Sequence, residues 1–239
     1  MKYVLDTHCH TIASGHAYST ILEMADYAKK IDYKLIALTE HGPAMPGGAN
    51  EIYFQNLKVL PAEINGVEIF KGAEVNILDL EGNLDLAQNI LEQLDFVIAS
   101  FHRPCIASGS RKENTKALIK VMNNPFINMI GHPGNPHFPI DIVEIVRAAK
   151  DTKTLIEINN SSLKPGSFRK GSKEVCYAIL KECKKQEVAV ALGSDAHFMY
   201  DIGCFGLARE MIDDLKMPKE LVANTSVELF KKAISKKQQ

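Results

Sequence analysis

Residues 3–10 read YVLDTHCH: an apolar, strand-like run, Tyr3–Asp6, that ends on two histidines flanking a cysteine. Similar runs recur at Leu35–Thr39, Glu68–Glu74, Phe96–Ser100, Asn128–Gly131, Thr154–Ile158 and Val188–Gly193. They are nearly continuous in Val, Ile, Leu and Ala, the pattern of parallel strands covered on both faces. Amphipathic stretches at Ser19–Ile31, Leu84–Leu94, Lys112–Met122, Ile140–Lys150 and Ser172–Gln186 separate them and predict helices. Ser19 is the expected cap of the first, with Glu23 in its first turn. Such alternation implies right-handed βαβ units and a parallel sheet. An eight-unit barrel takes about 250 residues. Seven units and a short helical tail (Phe205–Asp214, Lys219–Ala223, Ser226–Ile234) therefore suit a closed α/β barrel, although strand counting does not separate a barrel from a curved open sheet. The C-terminal KKAISKKQQ is expected to be a fraying helix end.

The chain has 239 residues, 46% hydrophobic and 24% charged, which fits one compact domain, 1–239, with an ample core. Its 28 Lys+Arg and 29 Asp+Glu give a net charge of −1. That balance argues against a nucleic-acid partner held by bulk charge, and leaves room for a small phosphorylated ligand. No signal-like segment opens the sequence, and no apolar run approaches the roughly 18 residues of a membrane span. Five scattered cysteines without CxxC spacing read as reduced thiols of a cytoplasmic protein.

Eight histidines carry the functional signal. His8 and His10 end the first run, His41 the second (LTEHG), His102 the fourth (VIASFH) and His132 the fifth (MIGHP), and His197 follows the seventh (LGSDAH). His16 lies in the loop after the first run, and Glu74 closes the third (FKGAEVN). Any one of these would pass as an ordinary histidine beside a loop. Six of eight at the strand ends that meet on one face of a parallel barrel would not, because that face is where such folds place active sites. Residues i and i+2 of a strand share a face, so His8 and His10 can grip one ion. Asp195 and His197 repeat that spacing if the strand continues through GSDAH. Asp6, one layer deeper, reads either as an acceptor for an imidazole N–H or as a backbone-bonding carboxylate. Cys9, between two ligands, points the other way and is expected to pack.

Seven imidazoles with two carboxylates exceed the four ligands a zinc ion generally takes, so two or three ions bridged by a carboxylate are expected. Imidazole with carboxylate and no thiolate suits zinc, manganese or iron, and zinc is favoured by availability. Such a cluster would lower the pKa of bound water toward about 7 and stabilise charge on a phosphate.

DTHCH, TEHG, GAE, SFH, GHP and GSDAH, in this order and spacing, resemble the polymerase and histidinol phosphatase (PHP) domain over essentially the whole chain. The likeness is strongest to its stand-alone phosphatases of the YcdX type. It implies a distorted (β/α)7 barrel with three divalent metal ions. On that pattern His8, His10, Glu74 and Asp195 hold one ion; Glu74 bridges to a second held by His102 and His132; His16, His41 and His197 hold the third. Asp195, His197 and Arg103 are the candidate catalytic residues. The sixth run leads into EINNSSLKPGSFRKGS, the one strand end without a ligand. There Asn159, Asn160, Ser161, Arg169 and Lys170 resemble a substrate-binding loop, a solvated basic loop being the alternative. Arg103 reads equally as a phosphate contact or a salt-bridge partner. His137 lies outside the pattern.

The expected activity is hydrolysis of a small phosphomonoester. Histidinol-phosphate phosphatase, a PHP-type nuclease or phosphodiesterase, an amidohydrolase and a non-catalytic metal-binding module are the alternatives. A homo-oligomer stays open.

Overall fold

The computed structural model describes residues 1–235. The strands are β1 (Leu5–Cys9), β2 (Leu35–His41), β3 (Glu63–Ile64), β4 (Val67–Asn76), β5 (Phe96–Ser100), β6 (Met129–Ile130), β7 (Leu155–Asn159) and β8 (Val190–Gly193). The helices are α1 (Ile21–Lys30), α2 (Glu51–Asn56), α3 (Gln88–Leu91), α4 (Arg111–Met122), α5 (Ile142–Thr152), α6 (Ser172–Gln186), α7 (Gly206–Asp214) and α8 (Val227–Ser235). Seven parallel strands pair in the order β1-β2-β4-β5-β6-β7-β8, and the short β3 pairs antiparallel with β4. The (β/α)7 expectation therefore holds.

The sheet is nearly closed. Where β8 meets β1 there is a single bridge, Cys9 with Ala196, supported by a bond from His10 N to Ala196 O at 2.8 Å. Below it an asparagine takes the place of a strand. Asn224 Oδ1 accepts from Leu192 N at 2.6 Å, and its Nδ2 donates to Leu192 O at 2.8 Å and Leu5 O at 3.2 Å. Unpaired backbone groups buried at that seam would be costly, and one amide side chain, both donor and acceptor, satisfies them.

Strand alternation sorts the interior from the shell. Ile36, Leu38, Ile69, Val75, Val97, Ile130, Ile156 and Leu192 face the surrounding helices in one apolar cluster, to which α1, α4, α5 and α6 contribute Met24, Leu118, Ile145 and Ile179. Leu5, Leu35, Ala37, Phe70, Phe96, Ile98, Met129, Leu155 and Ala191 form a second cluster inside the barrel, closed by Phe230 and Ile234 of α8. Continuing up the same inward faces gives His41, Glu74, Ser100 and Glu157, and in β1 a register shift between Asp6 and Cys9 brings His8 to the same side; all five are buried. Cys9 belongs to the outer apolar cluster.

Four local expectations change. The first helix is capped by Thr20, whose hydroxyl accepts from Glu23 N in a capping box, while Ser19 Oγ instead accepts from Met199 N. The helix expected over Leu84–Leu94 is reduced to the single turn of α3. Its first residues double back, with Leu84 bridging to Ile77 and Asp85 turned inward. In place of the helix expected over Lys219–Ala223 stand two 3-10 turns, Lys219–Leu221 and Ala223–Thr225. The α2 and β3 elements, between β2 and β4, had no sequence signal strong enough to announce them. α8 takes in the first five residues of KKAISKKQQ, and the rest of that expected fraying end lies outside the described residues. Among the described residues no helix is long and apolar enough to cross a membrane.

Candidate metal centre

Strand register assembles the site. In the β2–β4 ladder His41 is the partner of Glu74, and in the β4–β5 ladder Asn76 pairs with Ser100, two residues before His102. Glu74 is the hub. Its Oε2 lies 3.3 Å from His8 Nε2, 3.7 Å from His10 Nε2 and 2.8 Å from His41 Nδ1. Its Oε1 lies 3.2 Å from His102 Nε2 and 2.9 Å from His132 Nε2, and accepts from Ser100 Oγ at 2.6 Å. The two oxygens thus face different sets of imidazoles, as a bridging ligand must.

Asp195 Oδ1 is 3.3 Å from His10 Nε2 and 3.8 Å from His8 Nε2. Three groups of ligand atoms converge: His8, His10 and Glu74; His41, Glu74 and His102; His10, His41 and His197. His16 stands at the margin, its ring 5.0 Å from that of His41 and 4.7 Å from that of His197. The expected grouping of His41 with His16 and His197 is thereby loosened, since His41 also faces Glu74.

These residues fit divalent ions. His8 Nε2, His10 Nε2, His41 Nδ1 and Glu74 Oε2 are all buried, and none has a hydrogen-bond partner. Leaving such atoms unpaired in a protein interior costs about 1–3 kcal/mol each, so four of them converging mark a place for a ligand. Two atoms each about 2.1 Å from a tetrahedral ion lie about 3.4 Å apart, close to the spacings above. Charge points the same way for His10, His132 and the two carboxylates. Burial, reinforced by the neighbouring His41, holds His10 well below the usual imidazole range, and burial with Arg169 nearby brings His132 down to about 4. Both are neutral, as ligands need to be. Burial opposes a charge on His8, but Glu157, Glu74 and Asp195 together outweigh it and raise its pKa. Glu74 and Asp195 stay ionised despite burial because imidazoles surround them.

The GSDAH segment corrects one expectation. β8 ends at Gly193, and Asp195 has φ of +57°, so the strand does not continue and the i, i+2 argument fails there. A left-handed turn, which aspartate tolerates, aims the carboxylate instead. His197 stays close, with Nδ1 3.5 Å from Asp195 Oδ1.

A cavity of about 350 Å³ opens over the cluster, lined among others by His16, His41, His102, Asp195 and His197. Of the loop candidates, Ser161 and Arg169 line it. Arg169 is buried, with NH1 donating to Asp195 Oδ2 at 3.2 Å and Ser162 Oγ at 3.1 Å, and its guanidinium stacks on Phe168. Lys170 is exposed and Lys164, paired with Asp201 at 3.1 Å, stands at the wall in its place. Asn160 turns away, its Oδ1 accepting from Ala208 N at the start of α7. Asn159 lies beneath Asp195, donating to it at 3.2 Å. Arg103 is exposed, outside the cavity lining, and makes no ion pair among the described residues. His137 is exposed.

Asp6 takes the second of its two readings: Oδ1 accepts from His8 N and Ser194 N and Oδ2 from Gly203 N, all backbone. The acceptor for the His8 ring is Glu157, at 2.7 Å. Asn76 does the same for His102 Nδ1 at 2.7 Å and is backed by Asp85. Ser14, anchored on Glu40 at 2.7 Å, lies 3.5 Å from His10 Nδ1. Sequence reasoning passed over these outer partners. The available signal was a lone Glu at an inward position of an apolar strand, Leu155, Glu157, Asn159, and a lone Asn at the end of β4.

A probable phosphatase of Clostridium novyi (strain NT) is 52% identical over 225 residues, covering 94% of this chain and 91% of that protein. A probable phosphatase of Caldanaerobacter subterraneus subsp. tengcongensis is 51% identical over 238 residues, 99% of this chain and 93% of that one. Among solved structures, the histidinol phosphate phosphatase of Lactococcus lactis, complexed with zinc, L-histidinol and phosphate, superposes with a TM-score of 0.66 at 20% identity, over 90% of this chain and 95% of that chain. An archaeal ribonuclease P structure with mature tRNA contains a chain of TM-score 0.63 at 16% identity. Both structural likenesses concern the fold. The PHP domain model matches residues 6–200, and with it the chain belongs to the PHP domain family.

Proposed function

We propose that this chain hydrolyses small phosphate monoesters at a centre of three divalent ions, zinc first, with manganese or iron as alternatives. Family membership and relatives named as probable phosphatases support the class, a metal-dependent phosphatase. The observation that carries the reading is the convergence of three unpartnered buried imidazole nitrogens on the equally unpartnered Oε2 of Glu74, whose two oxygens face separate imidazole sets. The zinc and phosphate named with the Lactococcus lactis structure are consistent with it.

His8, His10, Glu74 and Asp195 would hold one ion, Glu74, His102 and His132 the second, and His16, His41 and His197 the third. Bound there, the ions would supply water activation and stabilisation of phosphate charge. The chain's own part is placement. Arg169 offers a planar guanidinium at the cavity floor, already held by Asp195 and Ser162, and suits a phosphate oxygen. Ser161 and Lys164 line the same wall and can meet the rest of the substrate. A cavity of about 350 Å³ matches a small metabolite, and ligand sites run from about 300 to 1,000 Å³. All 239 residues are read as one domain. Cytoplasmic residence is part of the proposal and is supported by five unpaired cysteines.

The test combines elemental analysis of the purified protein with hydrolysis of an aryl phosphate and then of a panel of phosphorylated metabolites. Two or more ions per chain and metal-dependent turnover are expected, with both lost in His10→Ala and Asp195→Ala. A chain that takes up fewer than two ions after loading, or either variant at full activity, overturns the reading.

A further inference from the structure

Glu157 is fully buried in β7 and belongs to none of the ion sets above. A carboxylate taken out of water needs strong partners, and those of Glu157 come from the site. Oε1 faces His8 Nδ1 at 2.7 Å and accepts from Asn159 Nδ2 at 3.2 Å. Oε2 accepts from the backbone N–H of His132 at 2.5 Å. No lysine or arginine pairs with it among the described residues. Room for it is made across the ladder, because a Cβ on Gly193 would collide with Glu157 Oε1 and crowd His8. His132 itself has φ of +30°, a backbone region that residues other than glycine enter rarely and at a cost of about 1–3 kcal/mol. Its N–H is held there by Glu157.

We propose that Glu157 is a positioning residue that couples two ion sites, one oxygen orienting the His8 ring and the other fixing the His132 turn. With Nδ1 engaged, His8 presents Nε2 to Glu74 Oε2; with its backbone fixed, His132 presents Nε2 to Glu74 Oε1. The inference rests on the metal centre proposed above. His132 N and Asn159 Nδ2 donate to Glu157, and with His8 protonated at Nδ1 all three partners donate, so both oxygens accept. Glutamine at this position offers one accepting oxygen and one amide NH2, so it can serve His8 or His132 but meets the other donor with a donor. The anion also makes the His8 imidazole a stronger ligand and offsets part of the ions' charge.

Full-length wild type and Glu157→Gln, both stripped of metal, are titrated with Zn2+ against a chelating indicator, and melting of the stripped proteins is followed by circular dichroism. The expected result is a cooperative melt in both, with one or both of the ions held by His8 and His132 weakened by about 10–100-fold in the variant. Unchanged affinities overturn the proposal, as does weakening confined to the ion that neither His8 nor His132 holds, or collapse of the metal-free fold together with its metal binding. A second measurement needs no variant: in the zinc-loaded wild type, 1H–15N spectra of the imidazoles should show His8 protonated at Nδ1 and coordinating through Nε2. The reverse arrangement also sinks it. Wild-type protein that binds no zinc counts against the metal centre itself, so the two failures are distinguishable.

Discussion

The two ends of the barrel interior are built from the same strands and, apart from the register shift in β1, the same inward faces, yet they do opposite things. At the lower end Leu5, Leu35, Phe70, Phe96 and Leu155 pack on Phe230 of α8, whose ring lies 5.6 Å from that of Phe70 and 5.2 Å from that of Phe96. Two to four residues further along, the inward positions are His8, Glu74, Ser100 and Glu157, with unpartnered nitrogens and a carboxylate oxygen at their centre. The apolar end needs only volume. The polar end needs geometry, and it obtains it from outer partners (Glu157 for His8, Asn76 for His102) and from left-handed turns at His132 and Asp195. Stability is concentrated at one end and strain at the other, the division expected where a rigid scaffold carries a site.

The largest expected effect separates the ends by function. Glu74→Ala removes the proposed bridging position and should lower kcat/KM for an aryl phosphate by about 10³-fold, since metal-based charge stabilisation contributes several kcal/mol. Bound metal should fall with it. Equal activity with unchanged metal would show that the hub lies elsewhere. The converse change is Phe230→Ala. Emptying the lower end should cost about 3–5 kcal/mol in denaturant unfolding. Ions bound per folded chain should not change, and a parallel loss of metal would mean that the two ends are not independent.

The seam between β8 and β1 ranks next. Asn224→Ala leaves Leu192 N, buried between the two strands, without its acceptor, and removes both donations of the amide. A buried backbone group left unpaired costs about 1–3 kcal/mol, and that is the expected destabilisation. An unaltered unfolding midpoint would show that the barrel tolerates an open seam.

How far the sequence carried this picture depended on which residues signal by type and which by place. The candidate ligands were legible because histidine is rare in apolar strands and six of eight gather at strand ends. Strand alternation was legible for the same reason that Phe70 and Glu74 share a face. Glu157 was hidden by its setting: a single acid in LIEIN looks like a solvent-facing residue of an edge strand until the neighbours on both sides are known. Asn224 was invisible, since closing a gap 32 residues away in sequence leaves no local pattern. The helix expected at Leu84–Leu94 failed because Asp85 turns inward to Asn76 and Ala44, a tertiary bond that overrides helical periodicity. The GSDAH turn failed because a left-handed aspartate reaches the same point as a continued strand would.

The smallest effect tests the border between the two regimes, where Arg169 joins the ligand set to the loop. Its NH1 already serves Asp195, Ser162 and, at 3.4 Å, Asn159, and its guanidinium is backed by the exposed ring of Phe168. An arginine held in this way loses little freedom when it meets a phosphate, so its contribution should appear in binding. Arg169→Ala is expected to raise KM for phosphomonoesters about tenfold, one charge-assisted hydrogen bond being worth roughly 1.5 kcal/mol or more, with kcat and bound metal little changed. Arg169→Lys should recover only part of this, because an ammonium keeps the charge but not the planar fork that spans Asp195 and substrate. If the alanine variant instead loses an ion with its KM unchanged, Arg169 belongs to the support of Asp195 and not to the substrate, and the border between scaffold and site moves outward by one residue.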